Sequence, residues 1–131
     1  MLKIGIDPGV KCGYAAKENG RIVEAETLTI WELFEKLDSI VVPFHVTVED
    51  ARKMSRPDLR GNHARDQGAG WVRILSGQIE AFLIKKEIPY KMIAPMRMYK
   101  KMDAASVKGM THWVGTTNQH ERDAIMIAWT A

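Results

Sequence analysis

Two acidic residues end otherwise apolar segments, where an unpaired carboxylate is energetically costly. Asp7 ends the alternating stretch 2–7, and Glu49 ends the apolar stretch 44–49. A carboxylate in such a place is stable when it is paired or when it binds a metal ion. Carboxylate oxygens are the ligands that hard divalent cations prefer. The pattern therefore favours a cation site, and a turn in which Asp7 bonds the following backbone is the alternative.

A third acid lies near the start of the last segment, 118–129, where Asn118 is a typical helix N-cap. His120 and Asp123 are three residues apart and share one face of the first helical turn. Glu121 is rotated about 100° away from His120. The helix dipole favours acids at a helix N-terminus whatever the function, which is the alternative explanation of Asp123. Beside two strand-end carboxylates, we interpret Asp123 as a further cation ligand.

The strands that hold the first acid follow from local patterns. The stretch 2–7 alternates apolar and polar residues, which is the period of a β-strand. Two further short strands are predicted at 12–17 and 21–28, and the dipeptide Asn19-Gly20 between them is a strong hairpin signal. The first three strands should therefore form an antiparallel meander.

The second acid is positioned by a helix and the strand that follows it. Thr29, with Glu32 three residues later, forms a capping box that should begin a helix. A strand, a helix and a second strand normally produce parallel neighbours, so 2–7 and 44–49 should lie side by side. Their terminal carboxylates would then repel each other unless a cation lies between them.

The remaining segments complete the sheet and its flanks. Helical periodicity covers 64–87, with a predicted buried stripe formed by Trp71, Leu75, Ile79 and Phe82. A short strand at 90–93 and a short helix at 106–114 precede the last helix. The segments together predict an α/β fold, in which an antiparallel meander continues into parallel strands and helices flank the sheet.

Length and composition restrict the class of protein. A chain of 131 residues with 46% hydrophobic content is expected to form a single domain over 1–131. No apolar run approaches the roughly 18 residues of a membrane span. A basic and apolar signal peptide is also missing, so we expect an intracellular protein without a membrane partner. The single cysteine, Cys12, excludes an internal disulfide and has no nearby histidine to make it a nucleophile.

Basic residues cluster after the second acid and again before the last helix. The net charge of +3 and the pI near 9.1 permit a polyanionic partner. A solvated charged loop is one explanation of the first cluster, and its place beside Glu49 favours phosphate binding instead. The predicted phosphate contacts are Arg52, Lys53, Arg56, Arg60, Arg65, Lys100, Lys101 and Lys108.

Three motifs in order resemble the RuvC-type Holliday junction resolvases of the ribonuclease H and integrase group. They are IGIDPG at 4–9, VTVE at 46–49 and HERDAIMIA at 120–128. The stretch 86–95 also resembles the last strand of that family and its exit. The matching pieces span nearly the whole chain.

The resemblance implies a ribonuclease H-like fold with a five-stranded mixed sheet. It implies that Asp7, Glu49, Asp123 and His120 are the catalytic residues and bind two Mg²⁺ ions, with Mn²⁺ as a substitute. It further implies a homodimer that cuts branched DNA at a four-way junction, without a nucleotide cofactor, in the cytoplasm of a bacterial or phage-infected cell. Nucleophile signatures of serine, cysteine or lysine are absent, which agrees with metal-dependent hydrolysis.

The chain departs from the family pattern at one point, and three rival functions remain open. Relatives often have an aromatic residue shortly after the second acid, where this chain has Arg52, Lys53 and Met54. One rival is an ATP-dependent phosphotransferase or ATPase, which shares only the opening strand and normally needs two domains. The others are a nucleic-acid-binding module without catalysis and a same-fold nuclease for flaps, replication forks or structured RNA.

Overall fold

The computed structural model describes residues 1–53, 63–96, 102–115 and 117–131, with the helical backbone alone over 63–69. Five strands and four α-helices are present in these ranges, together with a short 3-10 helix at Ala51–Lys53. The strands are β1 (Leu2–Asp7), β2 (Cys12–Glu18), β3 (Arg21–Leu28), β4 (Phe44–Glu49) and β5 (Tyr90–Ile93). The helices are α1 (Ile30–Ser39), α2 (His63–Lys85), α3 (Ala104–Thr111) and α4 (Gln119–Thr130).

The five strands form one mixed sheet in the order β3-β2-β1-β4-β5. The first three strands pair antiparallel, whereas β1 with β4 and β4 with β5 pair parallel. Asn19 and Gly20 have φ values of 51° and 76°, the left-handed conformation that a tight hairpin turn requires. The predicted meander followed by parallel strands is therefore confirmed.

The sheet separates two hydrophobic layers because successive side chains of a strand point to opposite faces. On one face, β1, β2 and β4 pack against α1 and α2. The fully buried residues of this layer include Ile4, Ile6, Tyr14, Leu33, Leu37, Val46, Val48, Ile79 and Leu83. On the other face, β2 and β3 pack against α3 and α4. The face that carries α4 is also the face of Gly5 and Asp7.

The start of α1 confirms the predicted capping box. The backbone N–H of Glu32 donates to Thr29 Oγ1 at 3.3 Å, and the N–H of Thr29 donates to Glu32 Oε1 at 3.0 Å. The two bonds satisfy donors that the first turn of a helix otherwise leaves unpaired. Helix α1 thus begins where the local sequence predicts, and it leads the chain from β3 across to β4.

Two helix predictions need correction. Leu75 and Ile79 of α2 are buried as predicted, but Trp71 is 51% exposed. A helix of 23 residues is about 34 Å long and a strand of six about 20 Å, so α2 cannot bury every turn against the sheet. Helix α3 begins at Ala104, not 106, because Asp103 is its N-cap, and it ends three residues early at Thr111.

No helix in the described ranges is both long enough and apolar enough to span a membrane.

Candidate metal-binding and catalytic site

The two carboxylates lie at the C-terminal ends of neighbouring strands and on the same face of the sheet. In the parallel pairing of β1 with β4, Ile6 is opposite Val48, and Asp7 and Glu49 are the next residue of each strand. Glu49 is in turn opposite Ile93 of β5. The expected adjacency of the two strands is confirmed. Because Asp7 and Glu49 occupy equivalent positions in the two parallel strands, both side chains point to the face that α4 covers.

Helix α4 contacts this face through its backbone, at two glycines. Gly13 is paired with Asp7, and a Cβ built on Gly13 would lie 2.0 Å from the carbonyl oxygen of His120. A Cβ on Gly5 would lie 2.5 Å from the carbonyl oxygen of Ala124. Only residues without a side chain permit such an approach. The first turn of α4 therefore lies directly over the strand pair that carries Asp7.

The start of α4 is held to the edge strand β3. Asn118 caps the helix, and its Nδ2 donates to Thr27 Oγ1 at 2.6 Å. The hydroxyl of Thr27 donates to Glu121 Oε2 at 3.1 Å, and Glu121 Oε1 accepts the backbone N–H of Asn118. Glu121 thus bonds both the N-cap residue Asn118 and Thr27 of β3. This agrees with its predicted position away from the face of His120 and Asp123.

Asp123 is engaged by its own helix. Its Oδ1 accepts a hydrogen bond from Gln119 Nε2 at 2.7 Å, and Gln119 Oε1 accepts one from Arg122 Nη2 at 3.3 Å. Arg122 also donates from Nε to the carbonyl oxygen of Met102 at 3.0 Å. Asp123 is partly buried, whereas His120 is exposed. The sequence did not predict that Gln119 and Arg122 orient Asp123.

Three carboxylates, which suit a hard cation, and one imidazole come from β1, β4 and the first turn of α4. Within the ranges that the structure describes, however, no three His, Cys, Asp or Glu side chains are gathered closely enough to hold a metal ion. Asp7 and Glu49 both have interaction partners, and Glu49 Oε2 accepts the N–H of Met96 at 3.4 Å. The fold brings together the two strands and the helix that carry these residues. The roles of the residues as metal ligands remain predictions.

Cys12 lies close to the site without a nucleophilic role. Its side chain is fully buried, and its Sγ donates to the carbonyl oxygen of Gly9 at 3.3 Å. Burial raises the pKa of the Cys12 thiol above its ordinary value. Because the thiolate is the reactive form, this thiol is a poor nucleophile.

The basic residues that follow Glu49 make internal contacts. Arg52 donates to both oxygens of Asp50 at 2.8–2.9 Å, and its Nη2 also donates to Glu80 Oε1 at 2.7 Å. Its guanidinium lowers the pKa of the Asp50 carboxyl. Lys53 Nζ donates to the carbonyl oxygen of Met92 at 2.9 Å. The sequence predicted phosphate contacts here and missed these partners.

Of the other predicted DNA contacts, only Lys108 lies among the described side chains. Lys108 is exposed on α3. The side chain of Arg65, which belongs to α2, and the residues Arg56, Arg60, Lys100 and Lys101 lie outside the described part of the chain. Their contact with DNA stays a prediction.

The sheet order and the helices on both faces define a ribonuclease H-like fold. Among solved structures, T. thermophilus RuvC in complex with a Holliday junction substrate matches 99% of this chain and 92% of its own, with a TM-score of 0.64. The identity is 21%, so the likeness establishes the fold. No family model matches the sequence, and no curated protein matches it.

Proposed function

We propose that this protein is a divalent-metal-dependent endonuclease that hydrolyses phosphodiester bonds in branched DNA, with Holliday junctions as its substrate. One observation carries the proposal. The register of β1 and β4 puts Asp7 beside Glu49, under the backbone-contacting first turn of α4. This arrangement occurs in a chain with the fold of a RuvC whose structure contains a Holliday junction substrate.

The residues that would hold the cations are Asp7, Glu49, Asp123 and His120. Mg²⁺, with Mn²⁺ as a substitute, would activate the attacking water and stabilise the leaving oxygen of an in-line displacement. Asp7 and Glu49 concentrate negative charge at one sheet edge. Asp123 would exchange its hydrogen bond from Gln119 for a place among the ligands. No protein nucleophile is needed, which agrees with the raised pKa of the Cys12 thiol.

A four-way junction presents two strands for symmetric cleavage, so the proposal includes a homodimer with one site in each subunit. The exposed side of α2 supports an interface there. Trp71 is 51% exposed and Ile74 is 50% exposed, and residues three apart are neighbours on a helix surface. Neighbouring exposed large apolar side chains are typical of association surfaces.

The open arrangement of ligands favours a second candidate. No three donors are gathered among the described side chains, which is the arrangement expected of a branched-DNA-binding module without catalysis. The two candidates differ in one observable property. Both bind branched DNA, and only the nuclease cuts it.

The deciding experiment incubates the protein with four-way, three-way, flap and linear duplex DNA and with structured RNA, in Mg²⁺ or Mn²⁺, and maps the cuts. Symmetric cuts at the four-way junction support the proposal. Cuts confined to flaps, forks or RNA support the same-fold nuclease of different specificity. Binding of branched DNA without cleavage in either metal supports the non-catalytic module.

The site is tested by Asp7→Asn. This substitution should abolish cleavage and leave junction binding intact or slightly tighter, because it removes a cation ligand and one negative charge. Asp38→Asn is the control, since Asp38 is an exposed acid paired with Lys86 at 3.3 Å. Equal loss of binding and cleavage in Asp7→Asn would assign Asp7 a structural role.

A further inference from the structure

The guanidinium of Arg52 anchors the chain immediately after Glu49. Asp50 is only 2% exposed, and Arg52 serves both of its oxygens. Oδ1 accepts from the backbone N–H and the Nε of Arg52, each at 2.9 Å, and Oδ2 accepts from Nη2 at 2.8 Å. A planar guanidinium that engages both oxygens of a carboxylate fixes the orientation of both groups. We call Asp50, Arg52 and Glu80 the Arg52 network.

The same guanidinium reaches helix α2. Its Nη2 donates to Glu80 Oε1 at 2.7 Å. Gly77, three residues earlier and on the same face of α2, lies beside the group, since a Cβ there would be 3.5 Å from Nη1, an ordinary contact distance. The Arg52 network therefore joins the 3-10 helix after β4 to α2, on the side of the sheet opposite α4.

The segment after Glu49 is also bonded to β5. The N–H of Asp50 donates to the carbonyl oxygen of Ile93 at 2.7 Å, and Ile93 is the residue opposite Glu49. The N–H of Lys53 donates to the carbonyl oxygen of Asp50 at 3.0 Å. Glu49 is thus held by the sheet ladder before it and by the Arg52 network directly after it.

A phosphate contact by Arg52 would have to compete with these bonds. If the guanidinium moved to a DNA phosphate, the buried carboxylate of Asp50 would lose its charged partner. An uncompensated buried charge is strongly unfavourable. The positive charge of Arg52 beside Glu49 is thus explained by its ion pair with Asp50. Recognition of DNA is not needed to explain it.

We propose that Arg52 is a positioning residue for Glu49 and not a phosphate contact. Through Asp50 it holds the end of β4 in the position from which Glu49 can bind a cation. The inference rests on the proposed metal-dependent site. Residues hydrogen-bonded to metal ligands typically change metal affinity by about 10–100-fold when they are replaced, and Arg52, which acts through the neighbouring Asp50, should fall at the lower end of that range.

The test measures Mn²⁺ binding to the purified protein by calorimetry or electron paramagnetic resonance, without DNA. Arg52→Ala should weaken Mn²⁺ binding by about 10-fold. Arg52→Lys, which keeps the charge and loses the two-point geometry, should give an intermediate affinity. Arg21→Ala removes an exposed arginine from β3 and should bind Mn²⁺ as the wild type does. A purely structural role would lower the melting temperature and leave the Mn²⁺ affinity of the folded protein unchanged.

A second readout is the salt dependence of junction binding without divalent cations. A lost phosphate contact flattens the plot of log affinity against log salt by about one unit. For Arg52→Ala we expect the wild-type slope. A flatter slope, or wild-type Mn²⁺ affinity, overturns the inference. If Arg52→Ala does not fold, Glu80→Gln removes the charge of one partner and should still weaken Mn²⁺ binding measurably, whereas unchanged binding overturns the inference.

Failure of the inference and failure of the proposed function look different. A wild-type protein that binds Mn²⁺ and cuts junctions, with an Arg52→Ala variant that does both equally well, overturns the positioning role alone. A wild-type protein that binds no Mn²⁺ and cuts no branched substrate overturns the proposed function, and the positioning role with it.

Discussion

The contact between Gly13 and the first turn of α4 gives the sharpest test of the site. In Gly13→Ala, the new Cβ would lie 2.0 Å from the carbonyl oxygen of His120 and 2.7 Å from its carbonyl carbon. Ordinary contacts between such atoms are about 3.5 Å, so α4 must move away by roughly 1.5 Å. The obstacle is backbone, which cannot rotate aside as a flexible side chain can. The movement would carry His120 and Asp123 away from Asp7.

The magnitude follows from this displacement. Overpacking a core contact usually costs about 1–3 kcal/mol of the free energy of unfolding, and a backbone obstacle places Gly13→Ala near the upper value. A misplacement of about 1 Å in a catalytic arrangement can reduce the rate by about 10²-fold. We therefore expect a loss of about 3 kcal/mol in stability and of about 100-fold or more in the rate of cleavage.

The assay combines urea unfolding with single-turnover junction cleavage at a temperature at which the variant is folded. Gly109→Ala is the matched control, because a Cβ at this position in α3 meets no described atom within 4 Å. Replacing a helical glycine by alanine should stabilise the protein by up to about 1 kcal/mol, and the cleavage rate should not change. If Gly13→Ala unfolds and cuts as the wild type does, α4 does not contact the sheet as described. If Gly13→Ala loses stability but cleaves at the wild-type rate, the position of the first turn of α4 does not affect catalysis.

Three further substitutions address the ligands, the dimer and the Arg52 network. His120→Asp should shift the ratio of initial rates in Mn²⁺ and Mg²⁺ toward Mg²⁺, because carboxylate oxygen is a harder donor than imidazole, and an unchanged ratio would remove His120 from the ligands. Ile74→Glu should convert a dimer to a monomer in sedimentation. Val23→Glu is the control, because Val23 on β3 has the same 50% exposure, and it should leave the dimer intact. A dimer in both variants would place the interface elsewhere. Glu80→Gln should cost about 1 kcal/mol in the free energy of unfolding at neutral pH, because it removes the ion pair with Arg52. Since the hydrogen bond from Arg52 lowers the pKa of Glu80, this stabilisation is present above the unfolded pKa and is lost in acid. The difference between the wild type and Glu80→Gln should therefore begin to shrink in unfolding experiments as the pH falls below about 4, and a constant difference down to about pH 3 would contradict the role of the ion pair.

The sequence by itself determined most of the local elements and the pairing of the first four strands. Alternation over 2–7, the turn at Asn19-Gly20 and the capping box from Thr29 to Glu32 depend on residues within a few positions of one another. The preference of a strand–helix–strand unit for parallel pairing then placed Asp7 and Glu49 at one edge. These rules need no information about distant segments, which explains why they succeeded.

The tertiary structure alone decided which distant segments meet. Nothing near Gly13 in the sequence shows that α4 will rest on it, because the contact joins residues 107 positions apart in the chain. Arg52 has the same charge whether it faces a phosphate or Asp50, and Glu80 is 28 positions away. Trp71 fits an apolar stripe, yet its exposure depends on how far α2 extends along the sheet. Residue types and spacing indicated what chemistry the chain could perform, and the packing of α2 and α4 determined which segments lie beside the two strand-end acids.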